Sequence, residues 1–432
     1  MFNKYDAYKD SGVQWIDEIP SEWSVLRAKN FFNFRKIINS KYQCDNVLSL
    51  TLRGVVNNSF DNPEGLIPKD YATYQIFNKN DLVFKLIDLE NISTSRIGLV
   101  HEKGIMSPAY IRLECKETVI PKFAYYYFYN LYLQTVFNKL GAGVRSTLSP
   151  KDLLELPYLH LCKEQQIKIV DYLDQKNLEI DQAIAIKQQQ IALLNERKQI
   201  VIQKAVTQGL NPNVAMKDSG VEWIGQIPAH WKVLKFKRAC QFIYDGTHGS
   251  YPRVEQGYRL LSVRNIINNE FVFREDDSCV SQKHFKEISS KFLIRNDDIQ
   301  LAIVGGTLGK AAIVKDLEEE IVTQRSLATL RTQPSVLNPN FLLSFIRSPK
   351  YQNFLWANAG FSAQPGVYLN TIQNSYLCMP CSKEQTLITE YIENETRKFS
   401  YLIGNIKDQI EKLKEYKTTL INDAVTGKIK VA

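Results

Sequence analysis

The chain carries several residue groupings of the types that do chemistry, and each falls short of a complete site. Cys378-Met-Pro-Cys381 has the spacing of half a zinc site, but no His or Cys lies nearby to supply two further ligands. It reads as two reduced structural thiols. Gly305-Gly-Thr-Leu-Gly-Lys310 resembles a phosphate-binding loop in composition only. Its spacing is wrong, and Ala311 follows where Ser or Thr would hold magnesium, so a tight hairpin turn is the plainer reading. Neither Asn62-Pro63 nor Asn338-Pro339 continues to the Pro-Tyr or Pro-Phe of an adenine methyltransferase. The five histidines are scattered and no H-E-x-x-H occurs. Tyr125-Tyr-Tyr-Phe-Tyr129 has the flat faces to stack bases, yet on a helix it reads as core or as a partner contact. The sequence therefore shows no catalytic constellation and calls for no cofactor and no metal.

The totals bound the rest. A length of 432 residues suggests two to four domains, and 44% hydrophobic with 23% charged residues supplies material for ordinary cores. A net charge of +8 permits a polyanionic partner. Seven scattered cysteines argue against a disulfide framework. There is no signal peptide and no apolar run long enough to span a membrane, so a reducing, cytoplasmic setting and no membrane association are expected.

The element that must position everything else is a long helix. From Lys163 to Gly209 the chain holds no proline and no glycine before Gly209. Steps of three and four from Val170 trace a heptad seam through Leu173, Asn177, Ile180, Ile184, Lys187, Ile191, Leu194, Lys198, Val201 and Ala205. Such a narrow stripe packs on another helix, and the chain supplies that helix by duplication. Residues 9–29 and 217–237 share thirteen of twenty-one positions, including both tryptophans and the Ile-Pro step. A repeat of that length is a duplicated domain rather than a solenoid. At an offset of 219 the seam recurs as Ile392, Thr396, Phe399, Ile403, Ile406, Ile410, Leu413, Lys417, Leu420 and Ala424. The two stripes are expected to bury each other, antiparallel, with the polar seam residues setting register.

Between the repeated pieces each half shows β-rich runs. They are Val47–Leu52, Asp81–Leu86, Arg96–Val100 and Ala109–Glu114 in the first, and Tyr258–Val263, Asp298–Val304, Ala311–Val314 and Leu327–Arg331 in the second. A helical stretch comes next in each, around Phe123–Leu140 and Asn340–Ala357. Gly104-Ile-Met-Ser-Pro stands where the other half has Glu320-Ile-Val-Thr-Gln-Arg, which reads as one frame carrying two different loops.

This pattern resembles the specificity subunits of type I restriction–modification systems. The duplicated Gly-Val-x-Trp-Ile segments carry the resemblance, with the Glu-Gln steps at 164–165 and 384–385 and the string Tyr244-Asp-Gly-Thr-His248 with Pro252. The first half lacks that string and has Arg35-Lys-Ile-Ile-Asn-Ser in its place, so the two halves are of different subtypes. The resemblance implies an α+β, pseudo-two-fold chain. Two tandem α/β-type target-recognition domains (1–160 and 210–381) are separated by the helices at 161–209 and 382–432, paired as an antiparallel coiled coil.

The resemblance further implies a non-catalytic subunit of a multi-subunit enzyme. It would read a bipartite, asymmetric site in double-stranded DNA and bind two methyltransferase subunits, with restriction (translocase) subunits joining the larger complex. DNA methylation would then follow the sites that this chain selects. The implied reading residues are polar side chains at strand edges, since Arg suits guanine and Asn or Gln suits adenine. They are Arg53, Lys85, Arg96 and Arg145 in the first half, and His248, Arg264, Asn265, Lys310, Gln324, Arg325 and Gln364 in the second. For each of them, a solvated charge or a structural hydrogen bond is the plainer alternative. The alternative for the whole is a coiled-coil adaptor that joins two protein-binding domains without nucleic acid; a DNA-modifying enzyme with an unfamiliar site comes third. Exposed charges such as Glu179, Lys187 and Arg197 on the central helix are the expected grip for partner subunits.

Overall fold

The computed structural model describes residues 3–59, 70–89, 96–141, 147–361 and 364–431. Two helices dominate: a central helix, Lys163–Gln208, of 46 residues, and a terminal helix, Ser382–Val425, of 44. At 1.5 Å per residue each rises about 65–70 Å. Each ends where a glycine takes a left-handed conformation, Gly209 (φ +74°) and Gly427 (φ +75°). The chain divides into two compact units, one of residues 1–187 with 407–432, the other of residues 188–406. The division falls within both helices, so each unit holds one half of each.

In the first unit the two helix halves run antiparallel. Asp181 accepts from Lys417 Nζ at 2.7 Å, and Lys187 Nζ donates to Gln409 at 2.6 Å. Ile169, Val170, Leu173 and Ile180 share one core with Leu420, Ile421, Ala424 and Val425, and Ile184 and Leu413 pack on its margin. That core continues into the globular part through Phe84, Phe123, Phe128 and Tyr158. Over it lies a four-stranded sheet in the order Phe32–Phe34, Ile111–Cys115, Leu82–Phe84, Ile97–Leu99. A second sheet has the order Gly54–Asn58, Val47–Thr51, Gly104–Met106, Gln75–Phe77.

The second unit repeats this plan. Its main sheet has the order Cys240–Asp245, Leu327–Thr332, Ile299–Ala302, Ala311–Ile313, so the first strand again pairs with the last. Ile202, Ala205 and Val206 of the central helix share a core with Ile388 and Ile392 of the terminal helix. Every predicted seam residue is buried or half-buried, including Asn177, Ile191, Leu194, Phe399, Ile403 and Ile410.

The repeated tryptophans have a structural task. Trp231 packs against Gly209, where an added Cβ would lie 3.3 Å from its ring, and Trp23 packs against Gly427 at 3.1 Å. Each tryptophan covers the stop of whichever long helix ends in its own unit.

Four expectations need correction. The Gly104 and Glu320 segments are not variable loops: Gly104–Met106 and Val322–Thr323 are strands with the same parallel pairing, Ile105 to Val47 and Leu260 to Val322. Each helical stretch is two helices, broken at Thr135 (φ +56°) and before Pro349, whose ring bars helix at the preceding residue. The Glu-Gln steps are out of register by one. Gln166 accepts from Ile120 N and donates to Thr118 O and Leu161 O, while Gln385 accepts from Asn338 N and donates to Val336 O and Pro380 O. The equivalent pair is therefore 166 and 385, at the seam's own offset. Lastly, Lys187 is no outward grip, because it is half-buried and spends its ammonium on Gln409.

Candidate nucleic-acid interface

One end of the second unit's main sheet gathers the polar loops. Asp245 pairs with Ala328 and Ala302 pairs with Leu327, so the segments that come after Asp245 and Ala302 and precede Leu327 all leave the sheet together. Backbone bonds then lace them side by side. Thr247 N donates to Thr323 O (2.8 Å), Arg325 N to Thr247 O (3.0 Å), Ile303 N to Ser326 O (2.9 Å) and Gly305 N to Pro365 O (2.7 Å). Gly246 makes the closest approach possible: an added Cβ would fall 2.2 Å from Thr323 O, so no other residue fits there.

This lacing brings together five of the seven residues proposed for the second half. His248, Lys310, Arg325 and Gln364 are exposed at this end, and Gln324 is half-buried between them. His248 Nε2 sits against the Asp245 carboxylate at 2.5 Å, which fixes the ring within the turn. Gly305-Gly-Thr-Leu-Gly-Lys310 is the turn of the Ile299–Ala302/Ala311–Ile313 hairpin, with Gly305 and Gly309 at positive φ. Among the described residues no hydrogen bond or ion pair holds the side chains of Lys310 or Arg325. They are two cations held out to solvent.

The other two have different fates. Asn265 is buried, with its amide on the Asp277 carboxylate (2.9 Å) and Val272 O (3.0 Å) and its oxygen accepting from Ser262 N. It closes a short 3-10 turn and presents nothing outward. Arg264 is exposed but lies on Asp276 (3.1 Å) and Asp277 (3.2 Å), so its charge is already compensated.

The first unit has an equivalent end. Phe84 pairs with Ile97 and Ile111, so the segments after Phe34 and Phe84 and before Ile111 emerge together. Lys85 is half-buried at this end. Lys36, which the pattern of residue types did not single out, joins it by donating to Pro108 O (3.0 Å); its one signal was its place in the string standing opposite Tyr244–His248. Arg96 is 1% exposed and donates to Ile87 O (3.3 Å) and Asp88 O (2.8 Å), and burial holds its pKa below the usual arginine range. It braces the loop from inside and cannot reach a base. Arg53 occupies the turn between Val47–Thr51 and Gly54–Asn58, in a hollow shared with Leu99, His101, Lys122 and Tyr125. Leu99 pairs with Leu82, which puts Arg53 away from Lys85, at the opposite end of the sheet. Arg145 lies outside the described residues.

The tyrosine cluster belongs to the helix Pro121–Leu133. Tyr126, Tyr127 and Phe128 are buried, and Tyr125 and Tyr129 stack on each other with ring centroids 5.5 Å apart. Tyr126 donates to Asp174 (2.6 Å) and accepts from Asn177 (3.1 Å), so the polar seam residue Asn177 ties the globular part to the central helix.

With this geometry in place, comparison with solved structures is decisive for the fold. A chain from a type I R-M system, determined in work on its complex assembly and conformational transition, superposes with a TM-score of 0.68. The match covers 94% of this chain and 98% of that one at 13% identity. The two chains share one fold. The HsdS subunit from Thermoanaerobacter tengcongensis also superposes, with a TM-score of 0.51 at 13% identity, covering 95% of this chain and 98% of that one. No protein-family model matches the sequence, and no curated protein matches it. The likeness lies in the frame of strands and long helices and hardly extends to the sequence, as is possible where buried patterning is alike and individual side chains differ.

Proposed function

We propose that this protein is the DNA-sequence-reading subunit of a type I restriction–modification complex. Residues 1–160 and 210–381 each read one half of a bipartite, asymmetric site, and the paired helices set the gap between the halves. The chain directs chemistry performed by two methyltransferase subunits, with restriction subunits joining them. The observation that carries this reading is the likeness to a type I R-M system chain over 94% of this chain, combined with a laced loop end in the second unit that holds Lys310 and Arg325 outward. The excess of 54 basic over 46 acidic residues fits a phosphate-bearing partner. Loops on a rigid sheet end suit base reading, because backbone bonds hold their side chains against the groove.

The test compares methylated adenines in the source genome with and without this gene. Loss of one bipartite motif on deletion supports the reading. A second arm measures duplex binding by the complex assembled with its methyltransferase. Affinity that falls steeply with salt and distinguishes cognate from scrambled duplex is expected. Equal binding to both would favour the protein adaptor instead.

A further inference from the structure

The end of the first unit that corresponds to the laced end of the second is walled by apolar side chains. Phe34 (43% exposed) and Ile87 (38% exposed) line one hollow of about 260 Å³ together with Pro108 and Ala109. Single exposed apolar residues are ordinary on a protein surface; a group of them gathered around one hollow from separate segments is not. The walls are tied in place. Lys36 Nζ donates to Pro108 O at 3.0 Å, Leu148 N to Leu86 O at 3.0 Å, and the buried Arg96 to Ile87 O at 3.3 Å. Lys36 is the charged member of the lining, and its ammonium is directed at Pro108 O. The Ser149 hydroxyl is engaged by Asp152 at 2.7 Å, and Tyr110 and Thr147 add neutral hydroxyls. Among the described residues that line the hollow there is no carboxylate.

We infer that this hollow receives the 5-methyl group of a thymine in the half-site that the first unit reads, with Phe34 and Ile87 as the residues that select it. The inference rests on the proposed DNA reading. The thymine methyl is the apolar group that a base edge presents in the major groove, so an apolar wall at a reading surface prefers thymine over the other three bases. At about 260 Å³ the hollow lies below the range of about 300–1,000 Å³ usual for small-molecule sites, which suits a protruding edge better than a whole ligand. Charge favours DNA over a protein partner. Segments 35–38, 85–89 and 107–110 emerge at this end and carry Arg35, Lys36 and Lys85 against a single carboxylate, Asp88. Cations around an apolar centre let phosphates hold the strand while the centre meets a base edge. The equivalent end of the second unit presents Lys310, Arg325 and Gln364 instead, so the two half-sites are read by unlike chemistry.

The experiment uses the chain assembled with its methyltransferase and a cognate duplex taken from the methylation map. Each thymine is replaced singly by deoxyuridine, which removes the methyl and keeps the hydrogen-bonding edge. The first unit's half-site is the one left intact when residues 240–380 are exchanged. One replacement there is expected to weaken binding roughly three- to fivefold, the worth of one buried methyl. Ile87→Ser and Phe34→Ser, both at exposed positions, are expected to bind the thymine and deoxyuridine duplexes alike. This double-mutant cycle separates the methyl contact from any effect of uracil on the duplex itself. Replacements in the other half-site should have the same effect in the variants as in the parent chain. If no replacement in the first half-site matters more in the parent than in Ile87→Ser, while cognate and scrambled duplexes are still told apart, the inference is overturned and the DNA reading stands. Weaker assembly of Ile87→Ser with the methyltransferase, at an unchanged thymine preference, would make the hollow a protein contact and overturn the inference as well. If the parent complex binds cognate and scrambled duplexes alike, the DNA reading falls and this inference falls with it.

Discussion

Arg325 and Lys310 are exposed cations that nothing described within the chain compensates. Arg264, by contrast, lies on Asp276 and Asp277. Each free cation that meets a phosphate releases counterions, so Arg325→Ala and Lys310→Ala should each lower the salt slope of duplex binding by about one. Arg264→Ala should change it much less, and filter binding across a salt series separates the three. A slope unchanged in both of the first two variants would remove these residues from the interface.

Burial makes equally sharp distinctions among the cysteines. The thiols of Cys240 and Cys378 are pushed up to about 12 by burial, while Cys162 and Cys381 are exposed. A raised thiol pKa leaves little thiolate near pH 8, and the thiolate is the nucleophile. Alkylation and subsequent peptide mapping should therefore find Cys162 and Cys381 modified first, with Cys240 and Cys378 reached only on unfolding. Fast labelling of Cys378 in the native chain would contradict its place in the core.

Among the elements, the long helices owe their attachment to two buried glutamines. Gln166 and Gln385 each satisfy one backbone N–H and two carbonyls of the segment packed against the start of their helix. Gln166→Leu leaves those groups buried without partners and should cost about 2–3 kcal/mol in chemical denaturation, and Gln385→Leu should cost the same in its own unit. The Lys417–Asp181 bridge is a different case, with its carboxylate 57% exposed. Lys417→Met should cost less than about 1 kcal/mol, and less still at high salt. The seam's polar residues thus serve unlike ends. Lys187 and Lys417 reach across to the other helix, whereas Asn177 turns to Tyr126 and the globular part.

For the whole molecule, duplication makes function separable. Replacing residues 240–380 with another recognition domain should change one half of the methylated motif and leave the other intact, as read by methylation mapping. Change in both halves would contradict independent reading. Deleting residues 187–190 removes about 6 Å of helix rise and rotates the C-terminal remainder of the helix by roughly 40°. The gap between half-sites should shorten, and a gap that stayed fixed would show that the helices are not the ruler.

The sequence alone determined the duplication, the two long helices, their shared seam and three of the four strands of each main sheet, missing Phe32–Phe34 and Cys240–Asp245, because these rest on periodic burial and on repeated residues at constant offsets. It could not determine which charged residues face outward. Arg96 and Arg325 look alike in a string, yet one is enclosed by Ile87 and Asp88 and the other stands in solvent. That difference arises where four segments distant in sequence are laced at one sheet end. The off-by-one reading of the glutamines has the same origin, since the helix start is fixed by contacts with Ile120 and Asn338, far along the chain. Local pattern specifies elements. The surface they present is settled by long-range packing.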